Sequence, residues 1–119
     1  MATIKAYTDL EQSKKLAGFL PIESADMRFC FSHTLDGRTT GHYPMIGSEP
    51  SLGTIPCWSL AALLGVLPRV DIEKDMCSDY TYEYRVKAYI GDGYIGDLFD
   101  NPIDACVTMI ERLNELKFL

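Results

Sequence analysis

Between Pro56 and Pro68 only Ser59 and Gly65 interrupt a continuous run of apolar side chains. Pro56 has no backbone N–H to lose at a first helical position and Pro68 cannot continue a helix, so the two prolines predict a bracketed helix of about three turns. Apolar on nearly every side, such a helix must be covered on nearly every side. At roughly 16 Å, from its rise per residue, it is too short to cross a bilayer and reads as the central pillar of a small core.

The flanking segments are candidates for its cover. Thr8-Asp9-Leu10-Glu11 has the spacing of a capping box with Thr8 as N-cap, followed by an apolar stripe of Leu10, Leu16, Ala17 and Leu20 that Pro21 ends. Met27 to His33 alternates, with Met27, Phe29, Phe31 and His33 on one side, which is the period of a half-buried strand. After the Asp36-Gly37 turn signal the chain is least regular as far as Ile55, with Gly37, Gly41, Gly47, Gly53, Pro44 and Pro50 in this stretch. Long loops tend to carry function, so this one is the first place to look for a site.

Val70 to Met76 and, more cleanly, Tyr80 to Ile90 alternate as strands, with Tyr80, Tyr82, Tyr84, Val86, Ala88 and Ile90 sharing the covered face of the second. Gly91-Asp92-Gly93 can turn the chain into a short strand through Tyr94 to Phe99. Asn101 and Pro102 then open a last helix in which Ile103, Cys106, Val107, Ile110 and Leu113 recur at helical spacing. This order predicts a single α+β domain over residues 1–119: an antiparallel meander of three to four strands packed on a layer of about three helices.

Composition changes the picture in two places. The chain carries a net charge of −6, and residues 69–104 hold nine acids against four bases. Such a surface repels phosphate backbones, so direct nucleic-acid binding is not expected, while a basic partner is left open. The first residues, Met1 to Tyr7, show no basic segment followed by an apolar run, so a cytoplasmic setting with no membrane association is the expectation. There the four cysteines, Cys30, Cys57, Cys77 and Cys106, far apart and without a Cys-x-x-Cys pair, read as reduced and mostly buried thiols.

Several motifs invite chemistry. Gly91-Asp92-Gly93-Tyr94-Ile95-Gly96 matches G-x-G-x-x-G, but no helix can begin before Asn101 and no second strand with an acid follows, so its glycines read as hairpin glycines. Asp92, Asp97, Asp100 and Asp104 could offer oxygens to calcium, yet their order is not that of an EF-hand loop, and capping and solubility explain them. Cys57-Trp58 at a predicted helix start is a candidate nucleophile, with His42 or His33 as base, because the positive end of a helix lowers a thiol pKa. Both histidines precede the cysteine, the reverse of the papain-like order, and a buried Cys57 beside a core Trp58 is the competing reading. Cys30, His33, His42 and Cys57 could ligate zinc only if the strand bent, since Cys30 and His33 fall on opposite faces. No cofactor or metal is expected. Arg38, His42, Tyr43 and Trp58 are the candidate recognition residues, since arginine and aromatic side chains dominate binding energy at interfaces.

The segments Ala2 to Leu10, Leu20 to Met27, Pro56 to Leu64 and Asp104-Ala105-Cys106 resemble a set of small proteins without assigned activity encoded in gut Bacteroides-type genomes and their prophages or mobile elements. That resemblance implies a cytoplasmic, phage-associated setting and transfers no catalytic or binding residue. With no complete catalytic constellation, the expectation is a non-enzymatic interaction or accessory protein that binds a host or phage protein through its acidic strands or the 36–55 loop. The alternative is a small thiol-dependent hydrolase or transferase using Cys57, and a third reading is an acidic decoy for a DNA-binding enzyme. Oligomeric state is left open.

Overall fold

The computed structural model describes residues 5–33, 39–46, 54–68, 70–76, 82–90, 93–96 and 98–117. Helix α1 runs Leu10–Ala17, and its N-cap is Asp9 rather than Thr8. The capping box survives one residue along the chain: Gln12 N–H donates to Asp9 Oδ1 and the Gln12 side chain accepts the Asp9 N–H. Thr8 is released from capping because, wholly buried, it is engaged elsewhere, as described below.

A short 3₁₀ turn, Ile22–Ser24, leads into β1 (Met27–His33), which pairs antiparallel with β2 (Thr39–Ile46) on one side and β3 (Ile55–Cys57) on the other. The stretch read as irregular from Asp36 to Ile55 therefore contains an eight-residue strand. Its Pro44 signals a turn in isolation, but β2 is an edge strand, where a missing ladder donor is tolerated. The same reasoning corrects the other end of the segment. Pro56 is not the first residue of a helix but sits in β3, the opposite edge of this sheet, opposite Arg28.

Helix α2 is consequently shorter than the two prolines suggest, Leu60–Val66, with Ser59 as N-cap accepting the Ala62 N–H. Nor is it the pillar of the core. Leu63 is its one buried residue, and Ala61 and Gly65 face solvent. The central element is α3, Pro102–Glu115, which buries eight residues from Pro102 to Leu113 and is capped by Asn101. Against it lies the second sheet, β4 (Val70–Met76), β5 (Tyr82–Ile90), β6 (Gly93–Ile95) and β7 (Leu98–Phe99), all antiparallel to β5. The protein is thus α+β, as read, with three α-helices among the described residues, whose strands divide into two sheets.

Of the alternation read in Tyr80 to Ile90, Tyr80 and Thr81 lie outside the described residues, and only part of the remainder is covered. Val86 and Ala88 are buried against α3, whereas Tyr82 is 48% exposed and its cross-strand partner Met76 is 61% exposed. The β4–β5 ribbon overhangs its helix. The radius of gyration is 16.0 Å and the extents are 55 × 36 × 20 Å, against about 13–14 Å expected for the radius of a compact chain of this length. At the turn from β6 to β7, Gly96 lies so close to β5 that a Cβ there would stand 2.6 Å from the Val86 carbonyl oxygen, so a side chain is excluded.

The start of α3 is tied to the start of α1 through Asp104. Lys5 Nζ donates to Asp104 Oδ1 at 2.9 Å, Gln12 Nε2 to the same oxygen at 2.7 Å, and Asn101 Nδ2 to Oδ2 at 2.7 Å. Partial burial opposes ionisation of this carboxyl, but the hydrogen bonds from Lys5, Gln12 and Asn101 together with the Lys5 charge outweigh it and hold the pKa below the usual aspartate value. A depressed folded-state pKa contributes stability above the unfolded value of about 3.9 and loses it as pH falls through the folded one. Asp104→Asn is therefore expected to lower stability by about 1 kcal/mol at pH 7, with the difference from wild type shrinking below pH ~4. Urea midpoints at pH 7 and pH 3 check this, and an equal deficit at both would show that ionisation is not the cause.

Candidate functional site

Residues 55–59 join the first sheet to the helices, and a knot of buried polar groups holds the junction. The Thr8 N–H donates to the Trp58 carbonyl at 2.9 Å, and the Trp58 N–H donates to Thr8 Oγ1 at 3.1 Å. Thr8 Oγ1 also shares a hydrogen bond of 2.8 Å with Ser13 Oγ. The Cys57 thiol completes the knot, 3.5 Å from the Thr8 carbonyl, to which it donates, and 3.6 Å from Thr8 Oγ1. Thr8, Ser13, Cys57 and Trp58 are all 0% exposed.

This environment does not activate Cys57. The residue lies in β3, ahead of the α2 N-cap Ser59, not at a helix N-terminus. Burial pushes its thiol pKa up, and the opposing hydrogen bonds from Thr8 and Ser13 do not reverse the shift. The histidines do not approach it either. Cys57 is paired with Met27 on one flank of β1, while His42 is paired with Phe31 on the other. Four residues of strand and two strand spacings put their Cα atoms about 16 Å apart, beyond the hydrogen-bond reach a dyad needs. His33, six residues beyond Met27 on β1, is about 20 Å along the strand.

The zinc set fails on the same register. Cys30 is offset from Met27 by an odd number of residues and so lies on the face away from Cys57, with its thiol 3.6 Å from the Met45 sulfur. Among the described residues no three potential metal ligands gather.

The described thiols are free; Cys57 and Cys106 are buried, and burial pushes Cys106 up to about 12. Cys77 lies outside the described residues. In a Cys77→Ser background at pH 8, iodoacetamide is expected to modify Cys30 first, with Cys57 and Cys106 reacting only as fast as the fold opens. Peptide mass spectrometry reads the order, and native labelling of Cys57 at the rate of Cys30 would restore a thiol chemistry.

Of the four candidate recognition residues, Trp58 is corrected outright, since a side chain with no exposed surface cannot meet a partner. Tyr43 is 45% exposed on the outer face of β2, beside Met45. His42 is placed by its backbone in β2, and Arg38 lies outside the described residues. Part of the acidic strand surface is satisfied internally: Lys87 Nζ lies 2.9 Å from Glu73, and the Tyr89 hydroxyl donates to Asp71 at 2.6 Å.

What the fold assembles instead is an open groove of about 590 Å³ between the end of α1, the 3₁₀ turn, the outer face of α2 and Asn114 near the end of α3. Its walls are mainly apolar, with Phe19, Leu20, Pro21 and Ala25 on one side and Ala62, Gly65 and Val66 on the other. The volume is of the size that holds a ligand or a few side chains of a partner. Two internal links keep its walls in place. Trp58 Nε1 donates to Ser24 Oγ at 2.9 Å, and Ser24 Oγ donates on to the Pro21 carbonyl at 2.6 Å. Across the groove the Asp26 carboxylate accepts the Ser59 N–H at 2.9 Å and the Ser59 hydroxyl, bracing the start of α2.

Sequence reasoning missed this groove because its residues come from three stretches far apart in the chain, 19–26, 62–66 and Asn114. One signal was present. Gly65 is a glycine inside a helix, which costs up to about 1 kcal/mol relative to alanine. Gly96 is a glycine because backbone crowds it; at Gly65 a Cβ would meet nothing within 4 Å. The fold itself does not require glycine there.

No protein-family model, no curated protein and no solved structure matches this chain. Among the described residues no helix is long and apolar enough to cross a membrane.

Proposed function

We propose that the protein acts by binding another protein, of a host or of a phage or mobile element, through the groove between the 3₁₀ turn and α2, and that it performs no chemistry of its own. The observation that carries this reading is the contrast between the two candidate sites: the thiol is sealed beneath Thr8 and Ser13, whereas the groove is open and has a helical glycine in one wall. The acidic strands support it less well, because Lys87 and Tyr89 engage two of their carboxylates. The net charge of −6 continues to weigh against nucleic acid as the direct partner.

The test compares capture by three baits from a lysate of the host: wild type, Gly65→Trp, which fills the groove from an open position, and Ile46→Ser on the far edge strand. A saturable partner held by wild type and Ile46→Ser but lost with Gly65→Trp is the expected result. A partner retained by all three, or lost only with Ile46→Ser, would move the site away from the groove.

A further inference from the structure

We infer that the groove takes a segment of a partner protein that seats an apolar side chain against Gly65 and presents a lysine or arginine to Glu23 and Asp26. The inference rests on the docking role proposed above and adds the chemistry of the occupant. Two acids, Glu23 and Asp26, stand exposed on the rim, and among the described residues no lysine, arginine or histidine lines the groove. Each Asp26 oxygen already accepts one donor from Ser59, which fixes the carboxylate and leaves it a further lone pair on each oxygen. Glu23 makes no hydrogen bond or ion pair among the described residues.

An apolar lining with acids on its edge and no compensating base among the described residues is complementary to an apolar and cationic segment, and it penalises an acidic one by like-charge juxtaposition. The same argument disfavours a second copy of this chain, which carries a net charge of −6. Gly65 sharpens the geometry. The absence of a Cβ leaves bare helix backbone in the α2 wall, where a partner chain can approach more closely than any side chain would allow.

The test is a titration of the ¹⁵N-labelled full chain, followed by NMR, with three blocked synthetic peptides of one apolar frame, acetyl-Leu-X-Ala-Leu-X-amide, in which X is Lys, Gln or Glu. The Lys peptide is expected to shift the Ala62, Gly65 and Asn114 amides and to bind about threefold or more tightly than the Gln peptide, the effect of partly exposed charge pairs. The Glu peptide is expected to leave those amides unmoved. Glu23→Gln should narrow the gap between the Lys and Gln peptides, and Glu23→Lys should reverse it. Gly65→Ala, which adds only a methyl group on an open position, should weaken the Lys peptide while leaving the fold intact by its spectrum.

If all three peptides shift the groove equally, the basic partner is refuted and the docking role stands. If none shifts it, the inference falls, and the capture comparison with Gly65→Trp decides the docking role by itself. Unchanged Lys-peptide affinity in Gly65→Ala would overturn the seating of the partner against Gly65.

Discussion

Trp58→Ala is expected to remove about 3–5 kcal/mol of folding free energy, a large share of what holds a domain of this size together. Trp58 is the largest fully buried side chain of the chain and belongs to the same core cluster as Leu16, Leu63 and Leu113. Its removal leaves a cavity between α1, α2 and α3, and also leaves Ser24 Oγ without its indole donor. Trp58→Phe separates the two contributions, because most of the ring remains while the N–H is lost; its cost should be about 1–2 kcal/mol. Urea denaturation followed by far-UV circular dichroism measures both, since the variants lose the chain's single tryptophan as a fluorophore. A Trp58→Ala cost below that of Trp58→Phe would mean that the indole is not the keystone its burial implies.

The second large effect is expected at Thr8. Thr8→Val keeps the shape and removes the hydroxyl, so the buried Trp58 N–H loses its acceptor and the Ser13 hydroxyl loses its partner. Each orphaned buried group costs about 1–3 kcal/mol, which puts the variant about 2–4 kcal/mol below wild type. Thr8→Ser, which keeps the hydroxyl, should lose about 1 kcal/mol for the missing methyl group. The double variant Thr8→Val with Ser13→Ala removes the need for one of the two bonds and should recover part of the loss, a coupling that a double-mutant cycle reads directly. Strict additivity would show that the two hydroxyls are not partners in solution.

The same threonine shows where reading from sequence stops. Thr8 and Asp9 are both good N-caps, and local spacing favours Thr8 with Glu11. The structure uses Asp9 with Gln12, because Trp58, fifty residues away, claims the Thr8 hydroxyl. Pro56 tells a similar story: a proline before an apolar run suits a helix start as well as an edge strand, and only its pairing opposite Arg28 decides. Where the local signals agree, the chain was legible. Asn101, Pro102 and the apolar spacing from Ile103 to Leu113 mark α3 without any tertiary information, and the alternation in β4 and β5 marks their strands. The groove was not legible, since no local pattern records that Phe19, Ser24, Ala62 and Asn114 meet. Gly65 alone hinted at it, as a helix residue that stability would not choose.

The two sheets rest on different helices: β3 leans on α1, and β5 leans on α3, with α2 bridging to the 3₁₀ turn. The β1–β2 hairpin is thus anchored to the remainder chiefly through β3, a three-residue strand, and the Thr8 knot beside it. A molecule hinged in this way need not come apart in a single step. The hairpin can detach and reseat while α3 keeps its layer intact, so amide protons in β1 would exchange on a faster clock than those of α3. Occupancy of the groove, whose wall Trp58 braces from behind through Ser24, would slow that clock, and the far hairpin would report a visitor it never touches.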